Sequence, residues 1–212
     1  MKRLLLLPIV LLCGMVSAEE SYPRNERKIV LDRVYNCSPE RTKEVIDKFV
    51  YQLQAEADSL FTWAYMNTSG GGDTKGKDAV QLRYKKSEYY PETHNSLFVT
   101  DIVVLGVPWK RNVEIGGHYW EKIMANNSRY SQLDITYSGK ILQDAKGLFL
   151  TTPRPDGKTN VHFELHVLFG KFFSAFITKK TWQEVAVWRF ETIMNNLKEY
   201  AETGTVLPKT QN

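Results

Sequence analysis

The first pattern along the chain is an apolar run, Leu4 to Leu12, broken only by Pro8. Lys2 and Arg3 precede it, and Val16-Ser17-Ala18 put small residues ahead of the acidic pair Glu19-Glu20. A positive start, a short apolar stretch and small residues before a polar chain are the three parts of a cleavable secretory signal. The run falls short of the roughly 20 residues that an anchoring helix needs. Residues 1–18 are therefore expected to be a signal peptide, cleaved after Ala18, and 19–27 a flexible lead-in. A lipoprotein signal on Cys13 fits less well, because Leu12 stands where a small residue is wanted.

Beyond the lead-in the periodicity changes three times. Lys28 to Asn36 alternates as a strand, with Ile29, Leu31 and Val34 expected inward. Ser38 and Pro39 then open a helix: a serine oxygen caps the first turn, and proline loses nothing at a position whose N–H is unpaired anyway. Val45, Ile46, Phe49, Val50, Leu53, Ala57, Leu60, Phe61 and Ala64 recur at helical spacing, over a length that predicts a break into two pieces. Period two returns from Ala79 to Phe169. Val80, Leu82 and Tyr84 alternate with polar neighbours; Ser96 to Val107 is rich in Val, Ile and Phe; Leu133, Ile135 and Tyr137 alternate again. Asn112 to Ile115 predicts a short strand closed by Gly116-Gly117, and His118 to Ala125 a turn or two of helix. Gly147 to Thr152 and Val161 to Phe169 predict two strands around a Pro155-Asp156-Gly157 turn. A second helical stripe follows: Trp182, Ala186, Phe190, Ile193, Leu197 and Ala201, ended by Gly204. The order is strand, helix, several strands joined by short turns, and a terminal helix. That predicts one α+β domain over 28–203, an antiparallel sheet with a helix on its apolar face, and a short tail over 204–212.

Charge and cysteine content narrow the function classes. The net charge is +4, and losing Lys2 and Arg3 lowers it to about +2, close to neutral. Beyond residue 18 no basic run exceeds a pair, so a nucleic-acid partner is not expected. Cys13 leaves with the signal, which leaves Cys37 without an internal partner. The fold must then rest on its core, and an aromatic content of 12% supplies bulky residues for one.

From Ser131 to Ala201 the chain resembles the second half of the START-like, or polyketide cyclase (SRPBCC), helix-grip superfamily. The residues that carry the likeness are the Ser138-Gly139 turn and the strand Gly147-Leu148-Phe149-Leu150. Pro155-Asp156-Gly157-Lys158-Thr159, the alternation through Phe169, the Gly170-Lys171-Phe172-Phe173 bend and the long terminal helix complete it. The resemblance implies a curved antiparallel sheet wrapped around the C-terminal helix, with an apolar tunnel between them; export would make this a bacterial-type secreted or periplasmic member. It names no ligand, since fold alone does not give function.

Candidate chemistry is sparse. No phosphate loop, nucleophile elbow or His-Glu-x-x-His pattern is present, so no catalytic residue, cofactor or metal ligand is assigned. His162, Glu164 and His166 share one strand face, but the two histidines stand about 13 Å apart and opposite the apolar face, which fits an outer surface better than a metal site. Arg189 borders the stripe of the terminal helix, where it would meet a ligand anion in the tunnel or pair with a carboxylate such as Asp101 or Asp134. Trp182, Tyr84, Tyr137 and Phe163 are the expected aromatic wall. Phe172, Phe173 and Phe176, bracketed by Lys171 and Lys179-Lys180, are either a buried hinge or a transient membrane contact. The expected function is binding of a hydrophobic or amphipathic small molecule, a lipid included. A cyclase- or hydrolase-like enzyme using the same cavity and a filled-core interaction module are the alternatives.

Overall fold

A computed structural model of the chain describes residues 25–60, 62–66, 80–138 and 142–206. The expected signal peptide, most of the lead-in, Phe61, the Gly70-Gly71-Gly72 loop, Gly139 and the end of the tail lie outside these residues, as do the side chains of Leu82 and Phe176. Seven strands follow from the period-two segments: β1 (Glu26–Tyr35), β2 (Val80–Tyr90), β3 (Asn95–Val104), β4 (Val107–Ile123), β5 (Arg129–Tyr137), β6 (Leu142–Pro153) and β7 (Thr159–Phe169). They form one sheet in the order β1-β7-β6-β5-β4-β3-β2, antiparallel at every pairing. β2 to β7 each pair with their chain neighbours, whereas β1 pairs with β7 at the far edge. The chain must therefore cross the whole sheet between β1 and β2.

The first half of that crossing is helical. α1 (Pro39–Ala55) starts where the Ser38 side chain accepts from the Arg41 N–H at 3.3 Å, with proline in its first turn. It buries Val45, Ile46, Phe49 and Val50 and stops at Glu56, whose backbone leaves the helical region; α2 (Ala57–Leu60) resumes at once. This is the break that helix length predicts.

After β7 come α3 (Lys171–Phe176), α4 (Lys179–Thr181), a π-helical turn (Trp182–Val187) and α5 (Trp188–Thr203). The residues joining the last three keep right-handed helical dihedrals, so they make one rod, and Gly204 ends it at φ 80°. The widened π turn changes the phase of the rod. Its buried face runs through Val185, Ile193, Met194, Leu197 and Ala201, while Trp182, Ala186 and Phe190 are only half-buried.

Two apolar clusters hold the layers together. The larger joins α1, α5, β1, β6 and β7 through Ile29, Tyr35, Ile46, Phe49, Phe149, Phe163 and Leu197. Tyr35 is fully buried and its hydroxyl donates to the Met194 carbonyl at 3.1 Å, tying β1 to α5. The smaller lies toward β3, β4 and α3, with Ile102, Val113, Ile115, Val167, Phe169 and Phe173.

Three expectations are corrected. β4 runs unbroken through Gly116-Gly117 and His118 to Ile123, so the expected short strand and helical turn are one long strand. The glycines serve close approach rather than a turn: a Cβ on Gly117 would stand 2.7 Å from Ser96 Oγ, and one on Gly116 2.8 Å from Thr136 Oγ1. Val34 points outward, 37% exposed, because the inward phase of β1 runs Arg27, Ile29, Leu31 and Tyr35. Tyr137 is 59% exposed. Gly116 pairs with Tyr137 but Gly117 with Ile135, so Thr136 is an extra residue, and this bulge reverses the alternation that Leu133 and Ile135 begin.

Candidate functional site

α1 crosses the same sheet face that β4 and β5 line, and a cleft of about 200 Å³ opens between them. Its walls are Lys43, Asp47, Val50, Tyr51 and Gln54 from α1, Tyr89 from β2, Tyr119 and Glu121 from β4, and Arg129 from β5. The spacing of the α1 residues places them on one side of the helix, and Tyr119 and Glu121 share a strand face by period two. The rings of Tyr51 and Tyr89 meet edge to face at 6.1 Å and form the apolar rim.

The polar floor is built on Arg129, which is 7% exposed. Its Nε donates to Glu121 Oε2 at 3.1 Å, its Nη2 reaches the same oxygen, and Nη2 also lies 2.5 Å from Asp47 Oδ1. The Tyr119 hydroxyl donates to Glu121 Oε2 at 3.1 Å and accepts from Arg129 Nη2 at 3.4 Å. Lys43 Nζ closes the rim, 2.6 Å from Asp47 Oδ2. Two cations thus face two carboxylates.

These contacts push the titrating groups apart. Burial alone would raise the Glu121 carboxyl, but the hydrogen bond and charge of Arg129 outweigh it and hold the group below its ordinary value. Burial pushes the Tyr119 phenol up to about 12, against the opposing pull of Ser131 and Arg129. Gln54 is the exception to this pairing. It is 1% exposed, and its Nε2 donates to the Val50 carbonyl at 3.2 Å. Its Oε1 meets no donor among the described residues. A buried amide oxygen left so costs about 1–3 kcal/mol.

None of the five residues read as a ligand wall lines this cleft. Phe163 is buried between Phe149 and Phe190, at 4.9 and 5.3 Å between ring centres, as part of the core. Trp182 is half-buried, with Nε1 donating to the Lys28 carbonyl at 3.2 Å. Tyr84 is half-buried on β2, its hydroxyl 3.2 Å from Ser87 Oγ. Arg189 is half-buried on the first turn of α5, and Tyr137 is exposed at the end of β5. Of the carboxylates considered for Arg189, Asp101 pairs with Lys85 at 2.9 Å and Asp134 accepts from Trp120 Nε1 at 2.9 Å. Cys37 is half-buried, with Sγ 3.3 Å from Thr42 Oγ1.

The signal for the cleft was present but fell in the misread stretch. With 118–125 read as helix and the next strand opening near Leu133, Glu121 and Arg129 do not come onto paired strands, where the register sets Glu121 opposite Ser131 and Arg129 opposite Ile123, a diagonal apart. Extended, β4 puts Tyr119 and Glu121 in the inward phase, and β5 does the same for Arg129 and Ser131. A charged residue in an inward phase is the informative kind.

On the outer face, His162 bridges Asp32 and Glu164 at 2.8 and 3.0 Å, and His166 bridges Glu26 and Glu164 at 3.4 and 3.3 Å. Lys28 adds a contact to Glu164 at 3.5 Å. The face is an ionic seam between β1 and β7, more buried than a freely solvated surface. Burial alone would lower the His162 imidazole, but its bonds to Asp32 and Glu164 raise it above its ordinary value.

No protein-family model matches the sequence, and no curated protein matches it. Solved structures resemble the chain over most of its length. An aromatase/cyclase from Streptomyces sp. R1128 is 9% identical, covering 84% of this chain and 94% of that one, with a TM-score of 0.49. A START superfamily protein from Mycobacterium smegmatis is 12% identical, covering 84% and 99%, with a TM-score of 0.44. Truncated norcoclaurine synthase from Thalictrum flavum is 9% identical, covering 84% and 94%, with a TM-score of 0.47. The fold is a helix grip. That assignment stands on the chain's own strand order and on the terminal rod packed against the sheet. In this helix grip the described cleft lies under α1, whereas the tunnel implied by the resemblance lies under the C-terminal helix.

Proposed function

We propose that this is an exported binding protein that takes a small amphipathic molecule into the cleft between α1 and the sheet, without covalent chemistry. The observation that carries the reading is Gln54 Oε1, a buried acceptor that meets no donor among the described residues, on a side chain that lines the cleft. A ligand that presents an O–H or N–H to that oxygen, and a second donor to Glu121, satisfies the polar floor. Its ring or chain then rests on Val50, Tyr51, Tyr89 and Tyr119. At about 200 Å³ the cleft is smaller than the roughly 300–1,000 Å³ that holds a drug-sized ligand. It suits a compound of one or two rings, or the polar end of a longer amphiphile whose tail lies outside.

Binding is favoured over acid–base catalysis by the same electrostatics. A general acid or base works best with a pKa near the working pH. Arg129 holds Glu121 low, while burial holds Tyr119 at about 12, which moves both away from neutrality.

The test is a titration of intrinsic tyrosine and tryptophan fluorescence in protein recovered after export, whose N-terminal residue is expected to be Glu19. A panel of hydroxylated and aminated aromatic compounds, with matched methyl ethers, supplies the ligands. Saturable quenching by donors and weak response to the ethers is the expected result. Equal response to both series, or none to either, would sink the reading.

A further inference from the structure

Among the described residues, four well-exposed apolar side chains fall on the β3–β4 hairpin and α3, away from the cleft, while Ile123 and Tyr137 are exposed singly at the ends of β4 and β5. Leu105 is 72% exposed, Val107 65%, Trp109 48% and Phe172 52%. The first three sit on the β3–β4 hairpin and the fourth on α3. Trp109 joins them: its ring stacks on Phe172 at 5.3 Å and 17° between planes, and meets Phe173 edge on at 5.1 Å. Val103 pairs with Pro108 and Ile102 with Lys110, so Trp109 is the extra residue of a bulge, a device that re-aims a side chain. Phe173 is only 3% exposed and belongs to the core, so it anchors the patch from beneath.

The hairpin tip is unusual for its chemistry. Val104 pairs with Val107, which leaves a loop of Leu105 and Gly106 at φ 50° and 81°. Two positive φ values make this a turn that favours Asn-Gly, and a leucine strains the first of them. The leucine side chain gains almost no burial within the fold in return. Exposed basic residues flank the patch along the chain: Lys110 and Arg111 follow Trp109, Lys171 precedes Phe172, and Lys179 and Lys180 open α4, Lys180 lying 3.9 Å from Glu184.

We propose that this patch docks the protein on a membrane surface that contains anionic lipid. Leu105, Val107 and Phe172 enter the acyl boundary, and Trp109 sits at the headgroup level, where an amphipathic ring is favoured. The five cations meet lipid phosphates, each adding attraction that salt screens. A second copy of the chain is the less suitable occupant, because it would bring the same cations against these. The inference is independent of what fills the cleft.

Vesicle flotation of the full chain tests it, with phosphatidylcholine vesicles made with and without phosphatidylglycerol. Any contribution of the Leu4–Leu12 run is then common to every variant. The chain is expected to float with the anionic vesicles and to be released by high salt. The double variant Leu105→Glu/Val107→Glu is expected to bind about tenfold more weakly. Leu105→Asn supplies a control on folding, since it relieves the turn: its melting temperature should hold or rise while vesicle binding falls. Undiminished binding in both variants overturns the proposal. So does a dimer of the unmodified chain that the double variant dissociates without any effect on vesicle binding.

Discussion

The cleft under α1 and the β3–β4 tip invert the usual distribution in opposite senses. At the cleft, Gln54 and Arg129 are polar and buried, at 1% and 7% exposure. At the tip, Leu105 and Val107 are apolar and mostly exposed. An isolated core would gain from the reverse choice at each place. The difference lies in what the described residues do not supply: a hydrogen-bond donor in one region, an apolar surface in the other. Two sites that fail the self-contained rule in complementary ways are better explained by two kinds of contact than by one.

Variants separate the two regions most sharply where partners are most coupled. Arg129→Met leaves the Asp47 and Glu121 carboxylates facing each other without the guanidinium. Because both are partly exposed, the loss is expected at about 2 kcal/mol rather than the 3–5 of a fully buried pair. Chemical denaturation reads it, and binding to anionic vesicles should not change. An unchanged denaturation midpoint would mean that the ionic floor does not hold α1 to the sheet.

A smaller effect is expected from pH. Glu121 titrates lower when folded, so its contribution is present above the ordinary carboxylate value of about 4.3 and is lost as pH falls through the folded value. His162 behaves oppositely. Its folded value is raised, so its contribution is full below about 6.5 and is lost as pH rises through the folded value. Melting temperature against pH should therefore fall slightly on the alkaline side of neutrality, and that fall should vanish in His162→Gln. Persistence of the fall in the variant would assign it elsewhere.

Much of the architecture was legible because each element satisfies one strong local rule. Ser38-Pro39 opens α1, Gly204 closes α5, and Val161 to Phe169 alternates cleanly enough to fix β7. The misreadings occur where two rules compete. Gly116-Gly117 reads as a turn unless the strand across from it is known, because the need for a bare backbone beside Ser96 and Thr136 is a tertiary fact. Tyr137 follows the alternation of Leu133 and Ile135 until a one-residue bulge reverses it, and no local composition announces the bulge. The binding wall expected on Arg189, Trp182, Tyr84, Tyr137 and Phe163 belongs to a tunnel under the terminal helix and is separate from the α1 cleft. The Arg129 floor depends on pairing β4 with β5, which is contact across the sheet rather than pattern along the chain. At the tip, Phe172 and its lysines were legible as a stretch, whereas Trp109 joins them only through the fold.

The most direct test of the binding account is Gln54→Leu, measured for stability and for ligand uptake in the same preparation. Removing a buried acceptor that meets no donor among the described residues should raise stability by about 1 kcal/mol or leave it unchanged. The same change should weaken binding of the donor compounds severalfold. A protein that is destabilised and binds as tightly as before would contradict the account, for then Gln54 would belong to the scaffold and not to a site.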